Sequence, residues 1–171
     1  MSLTMYTATV PTCTRALNSL AAILEKAVAH AETRKIHPAT LLGTRLFPDM
    51  LPLATQIQIA NDIAQGGAAR LAGAEVPVFE AKERTLAEWI ATTRGTVAYL
   101  ESLKPAQFEG SEERSITWQT RTAITRNMQG TPYLFHHVLP NVFFHVTTAY
   151  DILRQAGLEI GKMDYLGRGP A

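Results

Sequence analysis

The sequence has very little cysteine, no long apolar run and no excess of charge of either sign. Cys13 is the only cysteine among 171 residues, so no disulfide can form within the chain and no cysteine-based zinc site exists. No apolar run approaches the roughly 18 residues that a membrane-spanning helix needs. The 16 basic and 15 acidic residues leave a net charge of +1, which argues against a nucleic-acid or anionic-membrane surface.

The amino terminus also lacks a targeting signal. The stretch MSLTMYTATVPTC has no basic region followed by an apolar core, the pattern of a secretory signal. Apolar residues make up 46% of the chain and charged residues 18%, an ordinary balance for a chain that buries one core. We therefore expect a single cytoplasmic domain, residues 1–171, with neither nucleic acid nor membrane as a partner.

Four segments have the apolar periodicity of helices, and they are predicted at residues 5–33, 49–71, 85–103 and 141–156. Thr85 and Glu88 form a capping box at the start of the third, and Gly73 and Gly157 follow the second and fourth as stop signals. The stretch IHPATLLGTRLFPDMLP contains three prolines and is predicted to hold at most one short helical turn.

A short β-hairpin is predicted before the last helix. Ile116 and Trp118 alternate with polar residues on one arm, and Tyr133, Phe135 and His137 alternate on the other. The glycine-rich tail, residues 158–171, is predicted to lie against the bundle without forming a helix. The expected fold is all-α, an up-and-down four-helix bundle with this hairpin inserted.

The strongest candidates for function lie on the faces of the second and fourth predicted helices. His145 falls at the edge of the apolar arc of the fourth, and Asn141 lies one turn earlier. Gln56 falls inside the apolar arc of the second helix, and Asp49 either lies on the same side or caps the helix start. Inward polar groups of this kind build the ligand sites of bundles, so the four residues are candidates to line a pocket.

His145 itself has two interpretations. It is either a buried histidine of the core or pocket, or a metal ligand, and a metal site needs about three protein ligands. His136 and His137 are adjacent in the predicted strand and would point to opposite faces, so they are not expected to chelate together. No phosphate loop and no recognised zinc or hydrolase motif is present.

A stripe of small residues on the second helix suggests how the chain could pair with a second copy. The stretch AQGGAARLAG offers Gly66, Gly67, Ala68 and Ala69 for close approach of another helix. We expect a homodimer, since two-fold dimers are the commonest oligomers. The alternative is that these residues only admit a neighbouring helix of the same chain.

Two longer stretches resemble a known family. RLFPDMLPLATQIQIANDIAQGGAARLAG and LPNVFFHVTTAYDILRQAGLEIGKMDYLG are similar to the family called domain of unknown function nineteen-ninety-three, within the DinB/YfiT-like superfamily of four-helix proteins. The resemblance covers nearly the whole chain. It implies the four-helix fold with a hairpin before the last helix, but no particular activity.

The superfamily resemblance also implies where a metal would sit. Its metal-binding members use one histidine from the second helix and an H-x-x-x-H pair on the fourth, and several resemble metal-dependent thiol transferases or hydrolases. His145 matches the second histidine of the pair, Asn141 stands at the first, and the second-helix position falls near Gln56 or Gln58. Amides are poor ligands for zinc or nickel.

We therefore expect no metal and no cofactor. The expected function is small-molecule binding, or a dimeric structural role, around a degenerate metal site. The alternative is a metal-dependent thiol transferase or hydrolase in which His145 is a ligand and a bound water attacks the substrate.

Overall fold

The computed structural model describes residues 3–78, 85–120 and 122–167. Seven α-helices, a 3-10 turn at Pro105–Phe108, a π-helical turn at Leu134–Val138 and two strands follow one another along these residues. The elements are α1 (Met5–Arg34), α2 (Pro38–Gly43), α3 (Leu53–Ala72), α4 (Leu86–Ser102), β1 (Ser115–Gln119), β2 (Thr125–Gln129), α5 (Gly130–Tyr133), α6 (Leu139–Gln155) and α7 (Lys162–Leu166).

The long helices begin and end where their terminal residues satisfy the backbone. Thr4 caps α1 by accepting a hydrogen bond from the Thr7 amide, and Lys35 ends it in the left-handed region at φ 55°. Thr85 and Glu88 form the predicted capping box of α4. Gly73 ends α3 at φ 65°, a conformation that costs glycine little.

The four long helices do not alternate strictly in direction. Gln56 bonds His145 while Gly67 meets Val138, so α3 and α6 are antiparallel. Tyr6 packs on Phe108 beyond the end of α4, and Glu25 pairs with Arg94, so α1 and α4 are antiparallel as well.

The ends of α1 and α6 meet, since Gly157 lies beside His30. These two helices are therefore parallel, and the four run up, down, down and up. One connected apolar core extends through all of them and reaches β1 through Ile116 and Trp118. The expected all-α bundle with a hairpin before the last helix is confirmed, with this order of directions in place of simple alternation.

Close contact between α3 and the π-helical turn that leads into α6 depends on a glycine. A Cβ atom at Gly67 would lie 2.7 Å from both γ-carbons of Val138. Gly66, Gly67, Ala68 and Ala69 are all buried within the chain. The stripe proposed above as a dimer face therefore packs inside one copy, and any homodimer must use another surface.

Three expectations about element bounds are wrong. The second long helix begins at Leu53 and not at residue 49, because Pro48 and Pro52 break the preceding segment. The second strand is Thr125–Gln129, paired antiparallel with β1. Residues Tyr133 to His137, read as the second strand, are helical, and the tail contains the short helix α7.

The error at Tyr133 to His137 has a physical origin in the unusual start of the last helix. α5, the π-helical turn and α6 follow without interruption, and Pro140 sits in the first turn of α6 without an amide hydrogen to donate. The apolar residues of a π turn are not spaced as in a regular helix, so their alternation resembled a strand.

Candidate functional site

His145 and Gln56 form one buried hydrogen-bonded pair between α6 and α3. His145 Nδ1 lies 2.6 Å from Gln56 Oε1, and the two residues are 8% and 2% exposed. Gln56 Nε2 in turn donates to the backbone oxygen of Leu51 at 3.0 Å. The pair therefore ties two helices of the bundle to the segment that precedes α3.

This chain of bonds fixes the proton on the histidine ring. The Leu51 carbonyl can only accept, so the Gln56 amide must present its NH₂ group there and its oxygen to His145. An amide oxygen carries no hydrogen, so His145 Nδ1 is the donor. The ring of Phe144 packs edge-on against His145, with the centroids 5.2 Å apart.

The other two predicted site residues lie apart from this pair. Asn141 Nδ2 donates to the backbone oxygen of His137 at 2.6 Å, so this amide serves the turn that precedes α6. Asp49 is exposed in the connection before α3. It does not cap that helix, because the cap position is Pro52, which offers no side-chain hydrogen bond. The structure thus joins only His145 and Gln56 among the four.

The donor set at this position does not fit a metal ion. Gln56 directs its amide nitrogen at Leu51 and its oxygen at His145, and Asn141 turns to its own helix. Within residues 3–78, 85–120 and 122–167, no three His, Cys, Asp or Glu side chains are grouped to hold a metal. Asp164 of α7 forms an ion pair with Lys26 of α1 at 2.5 Å, and the hydrogen bond from Lys26 lowers the pKa of the Asp164 carboxyl.

A second cluster of polar and aromatic side chains joins β1, α5 and the π-helical turn to α3. The Tyr133 ring lies tilted against Trp118 and stacks on His137, with ring centroids 4.8 and 5.3 Å apart. Arg70 Nη1 donates to the Tyr133 hydroxyl at 3.4 Å. Burial, and then the charge of Arg70, lowers the pKa of His137. Sequence analysis missed this cluster because it assigned Tyr133 and His137 to a strand.

A ligand-sized cavity opens between α1, α2 and α4. Its volume is about 840 Å³, within the range of roughly 300–1,000 Å³ that small-molecule sites occupy. Its apolar wall is formed by Val28, Ala31, Ile36, Leu42 and Leu86, and its polar rim by Glu32, Lys35, His37, Thr85 and Glu88. Neither His145 nor Gln56 lines it. No periodicity or motif in the sequence pointed to this place.

The only cysteine has no accessible chemistry. Cys13 is fully buried in α1, and burial raises the pKa of its thiol to about 12. A thiol in this state is neutral at physiological pH and is a poor nucleophile. Cys13 therefore belongs to the core.

The family profile described as "Domain of unknown function (DUF1993)" matches residues 5–166. The chain belongs to this family. The chain is also similar to a solved structure, a DinB family member protein from Shewanella denitrificans, at 38% identity and a TM-score of 0.87. That match covers 97% of this chain and 93% of the other. The resemblance drawn from the two sequence stretches is thereby confirmed.

The comparisons give the family and the fold, and no activity is attached to either. No curated protein matches the chain. In the part of the chain that the structure describes, no helix is long and apolar enough to cross a membrane.

Proposed function

We propose that this DUF1993 chain is a small-molecule-binding protein whose ligand occupies the cavity between α1, α2 and α4. The observation that carries the proposal is a cavity of about 840 Å³ with an apolar wall and a polar rim. Sites for small molecules have this construction, with a mostly apolar lining and a few polar groups that orient the ligand.

The lining suggests the class of ligand. Val28, Ile36 and Leu86 supply the apolar wall, while Lys35 and His37 lie exposed at the rim. A molecule with an apolar body and one polar group matches this division, because its body leaves water while its polar end stays at the mouth. Burial of the body supplies the larger part of the binding free energy.

His145 has a different role in this proposal. With Gln56 it forms a buried brace between α3 and α6, at the position where metal-binding relatives are expected to hold an ion. One imidazole with two amides is a weak set for zinc or nickel, since those ions favour imidazole and thiolate. The alternative, a metal-dependent transferase or hydrolase, would need further metal ligands beside His145.

The proposal can be tested by filling the cavity. Ala87 lines it from α4 and is exposed, so Ala87→Trp should occupy the space without disturbing the core. A library of metabolites and apolar carboxylates, amides and alcohols is screened by thermal shift. We expect some members to raise the melting temperature of the wild type, because a ligand that binds only the folded state stabilises it.

Ala91, also exposed on α4 and one turn further on, is outside the cavity and provides a matched control. Ala91→Trp should keep the ligand-dependent shift that Ala87→Trp loses, and His145→Ala should keep it also. Ligands that still stabilise Ala87→Trp but fail to stabilise His145→Ala would place binding at the histidine and overturn the proposal.

A further inference from the structure

We propose that the outer face of α1 is a homodimer surface, on which α1 of a second copy packs antiparallel. The face forms the floor of a long groove, which is separate from the proposed ligand cavity. Glu101 at the end of α4 and Met163 and Asp164 of α7 form its walls. The groove has a volume of about 1480 Å³ and extends along α1 from Tyr6 to Ala29.

The floor of the groove is one exposed face of α1. Six exposed residues follow one another at intervals of four and three, and all of them line the groove: Pro11, Arg15, Asn18, Ala22, Glu25 and Ala29. This interval places the six residues on one face of α1, so a partner helix that packs along α1 would meet all of them. Ala22 and Ala29 are small enough for a second backbone to approach closely.

The charges on the stripe are complementary to themselves under a two-fold axis. We place the two-fold axis midway between Asn18 and Ala22, with the two α1 helices antiparallel. Arg15 of each copy then lies opposite Glu25 of the partner subunit, so the interface contains this contact twice. The same register sets Asn18 opposite the partner's Ala22 and Pro11 opposite the partner's Ala29. Two-fold interfaces require this kind of self-complementarity.

Local contacts leave both charged groups available to the partner. Arg15 uses Nε to bond the backbone oxygen of Leu166 at 2.8 Å, which holds its guanidinium along the groove edge. Glu25 pairs with Arg94, and both are substantially exposed. Arg15 of a partner would join Glu25 and Arg94 in a short network, and fixed geometry makes such networks more favourable than isolated surface pairs.

A second copy of this chain suits the charges of the groove better than a strongly acidic or strongly basic partner. The net charge of +1 produces little repulsion between copies, and the stripe carries one positive and one negative residue. Met163 is 71% exposed on the groove wall, where an adjoining copy would cover it. The seam from residue 11 to residue 29 would be about 27 Å long at 1.5 Å per residue.

The test is the mass of the full chain in solution, measured by light scattering after size exclusion at several micromolar concentrations. The wild type should have twice the chain mass of 18.8 kDa. Ala22→Arg places a long charged side chain at the centre of the seam and should give a monomer. Ala91→Arg makes the same change on an exposed part of α4 outside the groove and should remain a dimer.

Charge exchange tests the register itself. Arg15→Glu should raise the dissociation constant of the dimer about tenfold or more at low salt. The triple variant Arg15→Glu, Glu25→Arg and Arg94→Glu should recover most of the loss, because both the cross-subunit pairs and the pair between positions 25 and 94 are restored in reverse. Circular dichroism checks that each variant is folded. A monomeric wild type, a dimer that tolerates Ala22→Arg, or a folded triple variant that stays monomeric would each overturn the proposal.

Discussion

The contact between α3 and α6 and the cavity between α1, α2 and α4 differ in how they use space. In the first, Gly67 allows Val138 to pack closely against α3, and His145 and Gln56 form a buried hydrogen bond. In the second, a ligand-sized volume is left open behind a polar rim. The His145–Gln56 pair, which was predicted to line a pocket, is therefore closely packed. The cavity that has room for a ligand is lined by residues that the sequence did not single out as site candidates. The comparison shows that the buried polar pair and the open volume lie in different parts of the bundle.

The largest expected effect comes from overfilling the closed contact. Gly67→Leu would drive a side chain into Val138, whose branched Cβ has no freedom to move aside. We expect a loss of about 3 kcal/mol in the free energy of unfolding, measured by urea denaturation. Gly43 offers a control, since a Cβ there meets nothing within 4 Å. Gly43→Ala should stay within about 0.5 kcal/mol of the wild type.

Removing the brace should have the next largest effect. His145→Ala leaves a small cavity and strips the buried Gln56 oxygen of its donor. The expected cost is about 2 kcal/mol of unfolding free energy. His136→Ala is the matched control, because His136 is exposed on the turn before α6. If the two histidine variants unfold at the same denaturant concentration, His145 is not a brace.

The smallest effect is a pH dependence at His137, which packs against Trp118 and Tyr133. Folding lowers the pKa of His137, through burial and the charge of Arg70, so the neutral ring is favoured in the folded state. Its contribution to stability is complete above the unfolded pKa of about 6.5 and is lost as the pH falls from that value through the lower pKa of the folded chain.

Replacing His137 by phenylalanine keeps a ring against Trp118 and Tyr133 while it removes the titrating group. His137→Phe should therefore lose less stability than the wild type between pH 7 and pH 5, as measured by denaturation at each pH. An unchanged slope would show that His137 has the same pKa in the folded and unfolded chain.

Much of the fold could be predicted from the sequence, because local signals determine it. The Thr85–Glu88 capping box, the Gly73 stop and the apolar stripe of α1 indicated three helices correctly. The last helix was shortened because its first turns contain a π turn, whose spacing no regular period describes. The start of α3 was misplaced because the wheel was extended through Pro52 to Asp49.

The candidate site was predicted only in part, and the reason is again physical. A helical wheel gives the direction of a residue on its own helix, so it could place both His145 and Gln56 inward. It cannot give the axial position of one helix against another, which brings those two together and leaves Asn141 on its own turn. A cavity depends on volume left among elements distant in sequence, so no local pattern reveals it.

The metal content of the untagged protein, purified without chelator, tests the central claim most directly. Inductively coupled plasma mass spectrometry should find far less than one equivalent of zinc, nickel or iron per chain, and His145→Ala should give the same result. This account is contradicted by a wild type that holds about one equivalent of metal and loses it when His145 is replaced.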